Sequence, residues 1–260
     1  MRKIEVFKKH LREQRAVKII SGIDNYNLSS VKKVAIAAQS GFASALDVAA
    51  SEEVIKVAQE NAKIPIFASS TNPFSLLNAV KCGADAIEIG NFEHLYKKGK
   101  GLSASEVYEI TLETMSLTSK YGVFTCVTIP GSLPIEQQIA LAKQLEILGI
   151  DLIQTEGAAV TPKNAHGSMG LIDVAKSTMA NTMELSSQVN VPIMSASGLT
   201  PKTVPMAFAV GASAVGVGSC VNKLDTQIAM IATVRSIVAS ISTRNTLMQE
   251  VRYGVGAGVL

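Results

Sequence analysis

CGADAIEIGN at positions 82–91 and VGASAVGVGS at positions 210–219 are one pattern written twice. Gly83 aligns with Gly211 and Gly90 with Gly218, both at an offset of 128 residues. The preceding segments repeat as well, with IPIFASST at 64–71 echoed by VPIMSASG at 191–198. In each copy a glycine ends a helical run, a short β-branched run follows, and a second glycine closes it. The copies lie about half a chain apart, as expected of a cylinder assembled from two half-barrels.

Working outward, similar short apolar runs occupy 17–23, 43–49, 65–69, 86–90, 123–129, 151–155, 192–196 and 214–218. Between them lie helical patterns such as Ile228, Ile231, Val234, Ile237, Val238 and Ile241, whose three- and four-residue steps fall on one helix face. Gly41, Gly83, Gly122, Gly149 and Gly211 sit just past helical runs, where a left-handed cap suits glycine. Pro73 and Pro134 fit first-turn positions, and Pro205 sets a helix start near Thr203. Eight strands alternating with helices through short links imply a parallel sheet, and the repeat favours closure over an open doubly wound sheet. The expected fold is an α/β (βα)8 TIM barrel over residues 1–242. A short basic helix from the first fifteen residues covers one end, and a glycine-rich, mobile tail occupies 243–260.

Composition agrees. The 260 residues are 47% hydrophobic and 17% charged, enough for a large core and too apolar for disorder. A net charge of +3, no Trp and no dense Lys/Arg block argue against nucleic acid as a partner. Cys82, Cys126 and Cys220 form no CxxC, so neither a disulfide framework nor a zinc site is indicated. No apolar run reaches the roughly 18–20 residues that span a bilayer, so the chain reads as soluble.

Barrels of this kind bind ligands at the C-terminal ends of the strands, with phosphate commonly held after strands seven and eight. Those loops read Ser197-Gly198-Leu199-Thr200 and Gly216-Val217-Gly218-Ser219. Ser197, Gly198, Gly218 and Ser219 are the candidate phosphate ligands, since glycine lets backbone N–H groups approach an anion. The bland alternative is that these glycines only turn the chain. Ser70, Thr71, Gly90 and Asn91 occupy the matching half-barrel positions, as a second anion site or as vestigial symmetry.

Charged residues inside apolar strands are the other signal. Lys18 in AVKIISG, Asp47 in ALDVA and Glu88 in AIEIG each demand pairing, because an unpaired buried charge costs several kcal/mol. They form either a structural ion network or a catalytic centre, with Lys18 as cation or proton carrier and a carboxylate as general base. Two nearby carboxylates would raise the lysine pKa, which counts against Schiff-base chemistry. Gln154 and Glu156 end strand six and are additional candidates. His10, His94 and His166 lie outside the strands, so no metal centre is expected. The loop 157–170, with Lys163 and His166, is either a lid or a solvated insertion. Cys126 reads as a small buried hydrophobe.

VKIISGIDNYN, ALDVAAS, PIFASST, ADAIEIGNFE, TIPGSLP, QTEG and SASGLTP, in this order, resemble the hypothetical chloroplast reading frame twenty-three family of algal plastids and cyanobacteria. The likeness covers residues 1–242. It implies an aldolase-type barrel in plastid stroma, or in cytoplasm if cyanobacterial, and brings no established catalytic residues. The strand-seven and strand-eight segments also look like those of ribulose-phosphate-binding and thiazole-synthase-like barrels. The leading expectation is therefore a lyase or isomerase acting on a phosphorylated small molecule. The alternatives are a non-catalytic barrel sensing such a metabolite or flavin mononucleotide, and a scaffold without ligand. A homo-oligomer is compatible with all three.

Overall fold

A computed structural model of the chain describes residues 3–90, 101–157 and 167–254, the last thirteen of these as backbone only. Eight parallel strands close into a barrel in sequence order, β1 Ala16–Ile20, β2 Ala45–Ala49, β3 Ile66–Ser70, β4 Ala86–Ile89, β5 Phe124–Ile129, β6 Leu152–Thr155, β7 Ile193–Ala196 and β8 Ala214–Val217. The helices are α1 Lys3–Arg12, α2 Leu28–Ser40, α3 Glu52–Asn61, α4 Pro73–Lys81, α5 Ala104–Thr118, α6 Ile135–Leu148, α7 Gly167–Ser186, α8 Val204–Ala209, α9 Ser219–Asn222 and α10 Gln227–Gly254. All eight strands predicted from the sequence are present.

Three details differ from the sequence reading. α10 runs to Gly254, so residues 243–254 of the expected mobile tail continue the helix, and 255–260 lie outside the described residues. The stretch from Ser242 to Arg252 contains neither Gly nor Pro, so nothing local ends the helix there. Gly41 has φ −87° and is not a left-handed cap; an added Cβ would lie 2.3 Å from Val234 Cγ1, so α10 packs on the space a side chain would occupy. Pro134 is the N-cap of α6 rather than a residue of its first turn. Gly149, by contrast, has φ +82° and caps α6 as expected.

The registers also sort the barrel interior. Strands in a closed cylinder tilt, so a constant height along the axis requires one residue forward on each successive strand. Followed around the eight ladders, this places inward positions in layers of four drawn alternately from odd and even strands. Ala45, Ala86, Leu152 and Ala214 form the lowest complete layer, and Lys18, Phe67, Cys126 and Met194 the next. Asp47, Glu88, Gln154 and Gly216 follow, then Ile20, Ser69, Thr128 and Ala196, and at the rim Ala49, Gly90, Glu156 and Gly218.

α1 plugs the lower end. Its Phe7 is fully buried and meets Phe67 and Phe124 edge to face, with ring centroids 5.1 and 5.8 Å away. The outward strand residues, among them Val17, Ile19, Leu46, Val48 and Val215, pack beneath the helices in a separate apolar shell. Phe7→Ala removes the plug and should lower unfolding free energy by about 3–5 kcal/mol in urea denaturation. A loss under about 1 kcal/mol would show that α1 is dispensable to the barrel.

Candidate functional site

Lys18, Asp47 and Glu88 come together at the barrel axis, each with no solvent exposure. The Lys18 ammonium is ion-paired and hydrogen-bonded to Glu88 Oε2, and lies 5.2 Å from the centroid of the Phe67 ring. Ser69 donates its hydroxyl to Asp47 Oδ1. Gln154 joins the group directly, donating from Nε2 to Glu88 Oε1 at 2.9 Å and to Thr128 Oγ1 at 3.0 Å. Among the described residues, two buried side-chain atoms accept no hydrogen bond, Asp47 Oδ2 and Gln154 Oε1.

Burial alone would push the Lys18 pKa down, and it is the largest single influence. The charges of Glu88 and Asp47 together with the Glu88 hydrogen bond outweigh it, and the net shift is upward. The ammonium therefore stays protonated, which counts against a Schiff-base role. Asp47 moves the other way for a carboxyl. Burial first, then the negative charge of Glu88, raise it to about 7 against the downward pull of Lys18 and the Ser69 hydroxyl. One proton can thus enter or leave Asp47 near neutrality. Burial and the Glu88 charge also hold the Cys126 thiol well above its ordinary pKa, as befits a buried hydrophobe rather than a nucleophile.

The two candidate phosphate loops leave the rim side by side, because β7 and β8 are laddered up to Ala196 and Gly216. Ser197 has φ +85° and Gly198 φ +71°, an uncommon backbone for a serine. α7 holds this turn. Thr178 donates its hydroxyl to the carbonyls of Ala196 and Ser197 at 3.0 and 2.9 Å, and a Cβ on Gly198 would sit 2.7 Å from Val174 Cγ1. On the other loop Gly218 is the N-cap of α9, and its carbonyl accepts from Val221 N and Asn222 N. Asn222 Nδ2 donates to the carbonyls of Ile20 and Ser21 at 3.0 and 3.2 Å, which ties the loop to the exit of β1.

Glu156 is buried at the rim, and its carbonyl accepts from Asn181 Nδ2 at 3.1 Å. Ser70 Oγ accepts from Asn72 N at 3.0 Å, so at the half-barrel position it serves the turn into α4. Asn91, His94, Lys163 and His166, and with them most of the expected lid, lie outside the described residues. His10 sits in α1 with Nδ1 2.8 Å from Ser44 Oγ. The sequence reading missed Ser69 and Thr128; period-two alternation from Phe67 and Cys126 points both inward, and that signal was available. It also missed a buried hydroxyl group outside the barrel wall, where Thr182 bonds Ser195 and lies 3.2 Å from Thr155.

Two outcomes follow from this geometry. A carboxyl with a raised folded-state pKa binds its proton more tightly in the native state than in the unfolded chain. Its stabilising contribution is complete below about pH 4 and is lost as pH rises through about 7. Urea midpoints of the wild type should fall across that window relative to Asp47→Asn; parallel profiles would contradict the assignment. Lys18→Met leaves a buried carboxylate unpaired and should cost about 3–5 kcal/mol, much of it recovered in the Lys18→Met/Glu88→Gln double variant. Additive losses in the double-mutant cycle would show that the two side chains are not coupled.

The comparisons with known proteins follow the fold. A 3-hexulose-6-phosphate synthase superposes with a TM-score of 0.63 at 13% identity, covering 86% of this chain and 99% of that one. The (S)-3-O-geranylgeranylglyceryl phosphate synthase of Thermoplasma acidophilum, in complex with sn-glycerol-1-phosphate, gives 0.60 at 15%, covering 91% and 98%. Among curated sequences, the "Uncharacterized protein ycf23" of Porphyra purpurea is 34% identical over 94% of this chain and 91% of its own length. The protein of the same description from Cyanophora paradoxa is 37% identical over 90% and 94%. The profile of the family described as "Protein of unknown function (DUF561)" matches residues 1–247, and the chain belongs to that family.

Proposed function

We propose that this protein is an enzyme, a lyase or isomerase, acting on a phosphorylated small molecule held at the C-terminal rim of the barrel. Backbone N–H groups and hydroxyls of Ser197, Gly198, Gly218 and Ser219 bind the phosphate. Asp47 exchanges a proton with the substrate, and Lys18 with Glu88 fixes the charge around it. One observation carries the reading. A buried carboxyl with a pKa of about 7 lies two layers beneath the rim where the β7 and β8 loops meet. Such a group can take a proton from carbon and return it at another position without leaving the physiological range. The structural neighbours support the ligand class, since one is a 3-hexulose-6-phosphate synthase and another holds its substrate sn-glycerol-1-phosphate. Relatives named ycf23 in algae support a plastid setting, and we place the protein in the stroma.

Native mass spectrometry of the purified protein should reveal a copurified phosphate ester. Gly218→Asp provides the control. Gly218 has φ −112° and a Cβ there would meet nothing closer than 3.6 Å, so the chain accommodates aspartate while its charge repels an anion. Loss of the ester and of any thermal shift with inorganic phosphate in this variant is the expected result; unchanged binding removes the rim from the proposal. Once a ligand is known, Lys18→Met should abolish turnover while retaining ligand, whereas a sensing barrel would keep its output.

A further inference from the structure

The two buried acceptors without donors lie in one layer, Asp47 Oδ2 from β2 and Gln154 Oε1 from β6. No neighbouring side chain among the described residues donates to either atom. The Ser69 hydroxyl bonds Asp47 Oδ1, the Lys18 ammonium bonds Glu88, and the Gln154 amide nitrogen bonds Glu88 and Thr128. A buried acceptor that has left water without finding a donor is destabilising, so this layer is built to receive N–H or O–H groups from elsewhere. The side chains are smaller on the rim side than below. In the layer above these acceptors and in the rim layer over it, Ile20 is the one bulky aliphatic side chain, whereas such layers are ordinarily filled by branched residues. Below them, the large Phe67 and Met194 occupy the Lys18 layer, and Phe7 packs against Phe67 beneath it.

The depth sets the ligand. Two residues of a tilted strand rise roughly 5 Å along the axis, so the acceptors lie roughly 6–8 Å below an anion on the rim amides. That is the reach of a three- or four-carbon chain. We infer that the substrate is a short hydroxylated phosphate monoester whose hydroxyl groups, three or four carbons deep, donate to Asp47 Oδ2 and Gln154 Oε1. This rests on the rim phosphate site proposed above and adds Gln154 as a residue that selects for hydroxyl donors.

Isothermal titration calorimetry with three probes separates the two claims: inorganic phosphate, propyl phosphate and sn-glycerol 3-phosphate. The esters share chain length and differ in hydroxyls. Glycerol phosphate should bind at least about tenfold more tightly than propyl phosphate to the wild type. The preference should shrink to under about threefold in Gln154→Met and in Asp47→Asn. Equal binding of the two esters, with phosphate still bound, overturns the hydroxyl recognition and leaves the rim site standing. Binding of none of the three overturns the rim site and this inference with it. A preference that survives in both variants places the acceptors elsewhere and refutes the assignment. The wild-type comparison holds whether or not a variant folds.

Discussion

A lysine ammonium removed from water at the centre of a closed barrel is tolerable only because a carboxylate reaches it from the far side of the sheet. Lys18 on β1 and Glu88 on β4 are three strands apart, and their contact crosses the interior rather than following the wall. Neither charge is stable alone in that setting, so each constrains where the other strand stands. The consequences spread through the layer. Gln154 bridges from Glu88 to Thr128, Asp47 is left beside a paired charge with a lifted pKa, and Gly216 opposite is pressed by its neighbours, since a Cβ there would lie 3.0 Å from both Gln154 Oε1 and Ala196 Cβ.

Seen this way, the barrel divides along its axis. The lower part is apolar and closed, with three phenylalanine rings stacked edge to face between α1, β3 and β5. The upper part is small-residue and polar. Function in this architecture belongs to the C-terminal face and stability to the other, and the side chains follow that division layer by layer. The two candidate phosphate loops are held by different devices, one by a threonine of α7 and the other by an asparagine reaching β1. The positive φ of Ser197 persists because the surrounding helix fixes it.

Much of this was legible beforehand, for local reasons. Strands announced themselves through β-branched runs between glycines, and closure through the repeat at 83 and 211. A lysine inside VKII or a glutamate inside AIEIG is so costly unpaired that its partners could be anticipated by type. What stayed hidden depends on register. Whether Ser69 faces Asp47, or Gln154 reaches Glu88, is decided by the stagger between strands, which no single strand encodes. Thr155 and Ser195 point the other way, and both bond Thr182 beneath α7. The extent of α10 was not marked in the sequence, because its apolar stripe ends at Ile241 while the backbone between 243 and 254 continues the helix.

The seam between β1 and β8 carries a kinetic consequence. Ala16 pairs with Ala214, and Asn222 bonds a carbonyl 202 positions earlier in the chain. During synthesis the first strand must therefore wait, one edge open, until nearly the whole protein has left the ribosome. Contacts of such sequence separation slow folding, and an exposed parallel edge invites association with other chains in the interval. The duplicated half-barrel offers relief, because β1 to β4 can ladder with their immediate neighbours as they emerge, leaving one seam for the end.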